Sequence, residues 1–351
     1  MNIAHSRLTP YTLPLRRRWR SGSQAFEARQ GWLLELEDTD GVTGYGDCAP
    51  LPPHGTETAS AACTSLESAL LGMTGLTPEK ALERLPAAGS LPASRCALET
   101  ALLDLVAKHQ ELPLHKWLNP AANPTVRVNA ALGTLDDEVV GRARTVLTQG
   151  YRTLKLKVGI VDPQQEIEQL QLLCDTLPEG VRLRLDANRS WEPATARSFI
   201  NQLAGLSIES LEEPLAHPGI EGLKQLQGET DITLALDETV AQMTANDLSQ
   251  LHPLRRLVLK PMSLGGPLTT LRLAQRAREL GIESVITSSV DSAAGVWAAT
   301  QLAAALDSPA ELCHGLGTGE WLQRDLGAGP EINHGLIAIP STPGLGFTPY
   351  P

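Results

Sequence analysis

From residue 126 onward, short runs rich in Leu, Val and Ile recur about every 25 residues, separated by segments of helical periodicity. The runs cover 126–132, 154–158, 181–186, 208–213, 232–237, 257–260, 284–287 and 312–316. Helical patterns at 137–149, 164–176, 194–203 and 268–280 lie between them. Strict alternation of strand and helix predicts right-handed βαβ units and a parallel sheet. This many units suit an α/β fold of the closed (β/α)8 type better than an open doubly wound sheet. No glycine-rich phosphate loop follows any run, so neither a dinucleotide fingerprint nor a P-loop is expected.

The chain before residue 122 reads differently. Gly31-Trp-Leu-Leu-Glu-Leu-Glu-Asp38 and Thr43-Gly-Tyr-Gly-Asp-Cys-Ala-Pro50 are strand material around a Gly-bearing turn, which predicts a hairpin. Helical patterns follow at 56–73 and 94–109, the second with Ser94 as expected N-cap. Strands followed by helices give an α+β unit. Pro113 and the Asn/Pro-rich stretch 119–124 mark its boundary.

Charge and cysteine usage exclude some function classes. The 351 residues carry 29 basic and 40 acidic side chains, a formal net charge of −11. That argues against a nucleic-acid partner and against an anionic membrane surface. Five scattered cysteines, Cys48, Cys63, Cys96, Cys174 and Cys313, contain no CxxC pair and predict neither a disulfide framework nor a zinc site. No apolar leader and no run near the ~20 residues of a membrane span is present, so a soluble, cytoplasmic protein is expected.

In such a barrel the chemistry sits where strands end. Three successive runs end in a carboxylate, Asp186, Glu212 and Asp237. Neighbouring strand ends lie about 5 Å apart, so the three should converge, and a divalent cation would relieve their repulsion. Hard oxygen ligands with room for water suit Mg²⁺. Lys155 and Lys157, two apart on one strand, share a face. Lys260 ends the sixth run, across the barrel. Lysines flanking a cation suit abstraction of the proton beside a carboxylate.

The motifs Lys155-Leu-Lys157, Asp186-Ala-Asn-Arg-Ser-Trp191, Leu211-Glu-Glu-Pro214, Leu236-Asp-Glu-Thr239 and Val258-Leu-Lys-Pro261 resemble, in order, the muconate-lactonizing subgroup of the enolase superfamily. Gly44-Tyr-Gly-Asp-Cys-Ala-Pro is similar to that family's capping domain, and Pro343-Gly-Leu-Gly-Phe347 to its closing segment. The resemblance implies a capping domain over 1–122, a barrel over 123–325 and a segment returning to the cap over 326–351. It also implies a small-molecule carboxylate substrate, Mg²⁺ (Mn²⁺ substituting) on Asp186, Glu212 and Asp237, and a homo-oligomer. Lys157, Lys260 and Lys155 would be catalytic, with Asn188, Glu213 and Glu238 in support. Within the subgroup, the stretch Val285-Ile-Thr-Ser-Ser-Val-Asp-Ser-Ala-Ala-Gly295 most resembles the o-succinylbenzoate synthases, hydro-lyases of menaquinone biosynthesis, which expel water from a cyclohexadiene carboxylate. Gly317 stands where that pattern has Asp, and Gly315-Leu-Gly317 replaces the Asp-x-Asp of dipeptide epimerases. N-acylamino-acid racemization and cycloisomerization therefore stay open beside dehydration. A non-catalytic binding barrel and a Schiff-base aldolase using Lys260 complete the alternatives.

For substrate binding, the backbone N–H groups of Ser288 and Ser289 and the backbone near Gly315 are the candidates. Arg18, within the basic run 16–20, is a further one, and 16–30 is expected to act as a lid. His54 and His314 receive no role.

Overall fold

The computed structural model describes residues 1–21 and 24–351. The N-terminal unit is a three-stranded antiparallel sheet of β1 (Ile3–Ser21), β2 (Gln24–Asp38) and β3 (Thr43–Cys48). Four helices follow: α1 (Ala59–Leu71), α2 (Pro78–Glu83), α3 (Pro92–His109) and α4 (Leu114–Leu118). Ser94 is not the cap of α3. It lies inside the first turn, buried, and its N–H and Oγ both donate to the Glu57 carboxylate. The central part of the expected lid, residues 22 and 23, lies outside the described residues.

After β4 (Thr125–Arg127) come β5 (Ala130–Thr134), α5 (Val139–Thr148), β6 (Thr153–Lys157), α6 (Pro163–Cys174), β7 (Arg182–Asp186), α7 (Pro193–Gln202), β8 (Ile208–Glu212), α8 (Ile220–Gly228) and β9 (Thr233–Leu236). The series continues through β10 (Arg256–Leu259), α9 (Pro261–Leu264), α10 (Pro267–Glu279), β11 (Glu283–Ile286) and α11 (Ala293–Ala305), and ends in the hairpin β12 (Ile332–Asn333) and β13 (Leu336–Ala338). Strands β5 to β11 form one parallel sheet in sequential order. Their apolar residues join those of the surrounding helices in a single core.

Two expectations about the barrel need correction. The run 126–132 is not one strand: β4 pairs with β13, and the barrel begins only at β5. The run 312–316 forms no strand either. The ring closes through single bridges, His314 to Val128 and Gly315 to Thr287. A Cβ on Gly315 would lie 2.5 Å from Thr287 Oγ1, so this approach requires glycine, which favours no extended ladder.

Helices α3 and α11 fix the two units against each other. Every residue of α11 is buried, as is nearly all of α3, which marks helices covered on all sides. Strand β3 meets α3 so closely that a Cβ on Gly46 would lie 2.0 Å from Ala97 O. The first N–H groups of α11 are taken by carboxylates from outside the helix: Ser292 N donates to Asp47 and Ala293 N to Asp325. The C-terminal residues lie along α3, where Leu345 N donates to Asp104 Oδ1 at 2.6 Å and the Phe347 ring stands edge-on to Tyr45. Among the described residues no helix is long and apolar enough to cross a membrane.

Candidate active site

Parallel register sets the ends of three strands level. Lys157 on β6 pairs with Asp186 on β7, and Asp186 with Glu212 on β8. Asp237 directly follows β9. All three carboxylates are buried. Lys155 Nζ lies 2.9 Å from Asp186 Oδ2 and 2.7 Å from Glu212 Oε2. Burial opposes its charge, but Asp186 and Glu212 outweigh burial and hold it protonated. Lys155 is therefore a charge partner of the carboxylates, whereas Lys157 reaches 3.3 Å from Asp186 Oδ2 and contacts Asn188 Oδ1.

Lys260 follows β10 and contacts Asp237 Oδ2. Burial alone would raise Asp237, but Lys260 pulls its pKa below the ordinary value. Asp186 is lowered likewise, by Lys155 and Lys157 against burial. Glu212 goes the other way. Burial and the Asp186 charge push it well up, beyond what Lys155 can offset. Its Oε1 is buried with no hydrogen-bond partner among the described residues. A buried, unpaired carboxylate oxygen between two other carboxylates fits a cation site, because such an oxygen is costly without a partner.

Neighbouring residues hold this set in place. The Glu213 carboxylate accepts from Asp237 N at 2.9 Å, Thr239 N at 2.8 Å, Thr239 Oγ1 and Arg189 Nε. It thereby fixes the backbone that carries Asp237. Asn188 donates to Glu238 Oε1 at 3.3 Å, and burial and Asp237 raise the Glu238 pKa to about 7. Asn188, Arg189 and Glu213 all have positive φ, so the strand-end turns carry backbone strain.

A cavity of about 120 Å³ opens over the strand ends. Lys157 and Lys260 both line it, from β6 and β10, which three intervening strands place across the ring from each other. Ser288, Ser289 and Gly315 line it too, but their expected use needs correction. Ser288 N already donates to Gly315 O and Ser289 N to Asp291 Oδ2, so neither N–H faces a substrate. What they offer is hydroxyl: Ser289 Oγ is buried without a partner among the described residues, and Ser288 Oγ pairs with Thr318 Oγ1 at 2.6 Å. Arg18 is not part of the wall. It is exposed and stands 3.9 Å from Glu27 across the β1–β2 hairpin.

Sequence reasoning missed His54. It sits in a 3₁₀ turn, Pro52–His54, of the N-terminal unit, yet its ring lines the cavity with Nδ1 3.1 Å from Lys260 Nζ. Burial and the Lys260 charge depress its pKa to about 3, so the ring is neutral. Nothing local in Leu51-Pro-Pro-His-Gly55 signals that position.

Two other features compete for attention. Among the described residues, Asp38, Asp40 and His109 bring three potential ligand atoms within 4.8 Å of one another, closer than the three strand-end carboxylates come. There Asp38 Oδ1 already accepts from Asp40 N and Val42 N, and Oδ2 contacts His109, so the group closes the β2–β3 turn. A larger flank cleft of about 900 Å³ lies beside α10, and its Arg278 and Asp307 pair with each other at 2.6 Å.

Residues 22–118 match the mandelate racemase/muconate lactonizing enzyme N-terminal domain, and residues 138–351 the enolase C-terminal domain-like family. The L-Lys-D/L-Arg epimerase of Methylococcus capsulatus is 30% identical over the full length of both chains. The N-succinyl-L-Arg/Lys racemase of Bacillus cereus is 23% identical over 84% of this chain and 83% of its own. Among solved structures, the dipeptide epimerase of Enterococcus faecalis in complex with Mg and the dipeptide L-Leu-L-Tyr superposes with a TM-score of 0.89, at 25% identity, over 99% of this chain and all of the other. On both family matches, which together span most of its length, the chain belongs to the enolase superfamily and is an enzyme of that superfamily.

Proposed function

We propose that the chain is a Mg²⁺-dependent racemase or epimerase that moves a proton between the two faces of the α-carbon of an N-acylated amino acid. The C-terminal residue of a dipeptide falls within that class. The observation that carries this reading is the placement of Lys157 and Lys260 on opposite sides of one cavity that Asp186 and Asp237 also line, with Glu212 on the strand between those two. Relatives named for epimerization and racemization support it over dehydration.

Asp186, Glu212 and Asp237 would hold the ion, and the unpaired Glu212 Oε1 supports that assignment. When bound, Mg²⁺ supplies Lewis-acid stabilisation of the charge that builds on the substrate carboxylate as the α-proton leaves. Lys157 as free amine takes that proton from one face, and Lys260 as ammonium returns one to the other face. The reverse reaction exchanges their roles. Lys155, paired with Asp186 and Glu212, holds Asp186 ionised and orients both carboxylates. Asn188 contacts Lys157 and fixes where its amine points.

The o-succinylbenzoate synthase reading uses the same residues with Lys157 as sole base. One observation favours it: Lys260 lies between Asp237 and His54, contacts that suit a permanent ammonium. The wall at Gly315 and Gly317 also carries no carboxylate to receive a dipeptide ammonium. The deciding experiment follows α-proton exchange in D2O by NMR, using both enantiomers of N-succinyl-arginine together with L-Lys-L-Arg and L-Lys-D-Arg. A parallel assay follows dehydration of 2-succinyl-6-hydroxy-2,4-cyclohexadiene-1-carboxylate. Exchange and inversion lost in EDTA and restored by Mg²⁺ are expected. Efficient dehydration with no exchange on any amino-acid derivative would replace the racemase with the lyase, and activity persisting in metal-free enzyme would remove both.

A further inference from the structure

The unit that supplies no strand to the barrel still reaches its chemistry through His54. The turn that carries this residue is held from several sides. Its own backbone closes it, with His54 N donating to Leu51 O at 2.8 Å and Gly55 N to Pro52 O at 3.0 Å. Leu51 N donates to Thr56 Oγ1. The buried Arg29 guanidinium on β2 ties the approach, donating to Ala49 O at 2.7 Å and Pro50 O at 3.2 Å. Arg29 Nε also donates to Val290 O, beside the cavity serines. The imidazole is thus fixed relative to the barrel by contacts remote from the reacting atoms.

On the barrel side, Lys260 is a long side chain with several rotatable bonds and three N–H donors when charged. Lys260 is buried, and among the described residues Asp237 and His54 are the acceptors at its tip. Asp237 is also one of the carboxylates proposed to hold the cation, and an acceptor shared with a cation is a weak tether. We propose that His54 is a positioning residue for Lys260: its Nδ1 accepts an N–H from Nζ and aims the remaining valence of that nitrogen at one face of the substrate α-carbon. This rests on the racemase reading above. The neutral ring suits the task, since both ammonium and amine retain an N–H for Nδ1. When Lys260 acts as base, the α-C–H bond breaks, its electron pair passes into the substrate carboxylate, and the proton ends on Nζ. The Nδ1 contact survives that change.

The role has a handed consequence. Lys157 is held by Asn188 and Asp186 and faces His54 as a nearby charge, so losing the imidazole should fall mainly on proton removal from one enantiomer. Washout of the α-proton into D2O is measured separately from N-succinyl-L-arginine and N-succinyl-D-arginine, in Mg²⁺-loaded wild type, His54→Phe, His54→Asn and His54→Gln. Phe keeps the ring shape without an acceptor. Asn sets an amide oxygen close to the Nδ1 position, and Gln extends past it. Because small misplacements of a reacting group are costly, His54→Phe should slow exchange from one enantiomer about 10- to 100-fold and leave the other within about 3-fold. His54→Asn should recover most of the lost rate, and His54→Gln should recover less. Melting curves identify any variant that fails to fold, and the Asn and Gln pair then carries the comparison. Equal slowing of both enantiomers, or Phe and Asn behaving alike, would overturn the positioning role while leaving the racemase reading intact. Absence of exchange in the wild type would instead overturn the racemase reading.

Discussion

Strand β8 holds a glutamate near each end, and the two live in opposite surroundings. Glu209, where the strand begins, accepts from Arg184 Nε and Nη2 at 3.1 and 2.9 Å and from Arg256 Nη1 at 2.6 Å. Burial would raise it, but the two guanidinium groups outweigh burial and lower its pKa. Arg256 also pairs with Glu283, and Arg184 donates to Cys313 O. Three residues further along, Glu212 has one lysine, a raised pKa and an unpaired oxygen. One end of the barrel is saturated with partners and closed. The other leaves Glu212 with one lysine, and its neighbours Asp186 and Asp237 line a cavity. Within a single strand, stability and chemistry are assigned to different ends, as expected where loops after the strands carry function.

The largest test of this contrast is on activity. Lys157→Ala should reduce α-proton exchange by about 10²- to 10⁴-fold, the usual worth of a positioned general base. Its melting temperature should stay close to the wild type, because Lys155 still pairs with Asp186 and Glu212. A large loss of stability in this variant would show that the open end is structural after all.

Next in size is a matched pair of substitutions on β8, each read by urea unfolding in EDTA. Removing one partner of a buried ion network is costly, so Glu209→Gln should destabilise by about 3 kcal/mol while Mg²⁺ affinity is kept. Glu212→Gln removes a charge that folding places at a disadvantage, so metal-free stability should hold or rise while Mg²⁺ binding, followed by calorimetry, weakens. Equal destabilisation by both would erase the distinction between the two ends.

What the sequence disclosed follows the same division between local and remote. The strand-end positions of Asp186, Glu212, Asp237, Lys157 and Lys260 were legible because each stands at or one residue before the end of its own hydrophobic run, and parallel register then sets Lys157, Asp186 and Glu212 level. Gly44 and Gly46 lie within a recognisable stretch, but their reason, the approach of α3, is tertiary. His54 was not legible, since its partner Lys260 is 206 residues away. The N–H of Ser288 was misread because its acceptor, Gly315 O, depends on how the ring closes, whereas that of Ser289 is taken by Asp291 only two residues on. The weak eighth run gave no sign that single bridges would suffice. Arg18 was judged by composition, and composition does not say where a hairpin points.

The smallest effect concerns how firmly the closing segment fixes its protonation. His314 is buried, and its Nδ1 accepts the Ile286 N–H at 3.0 Å, so that nitrogen must stay unprotonated. Burial and the Arg184 charge depress its pKa to about 3. An unfolded histidine titrates near 6.5, so between about 6.5 and 3 the unfolded chain binds a proton that the folded chain refuses. This residue's contribution is therefore fully present above pH 6.5 and lost as pH falls toward 3. His314→Asn can keep an acceptor for the Ile286 N–H but cannot titrate. Urea unfolding of both proteins at several pH values below 6.5, in EDTA to silence the cation site, should show the wild type losing up to about 1.4 kcal/mol per pH unit more than the variant. Parallel pH profiles would mean that His314 accepts a proton without opening the ring, and the closing segment would then be no more rigid than the cavity beside it.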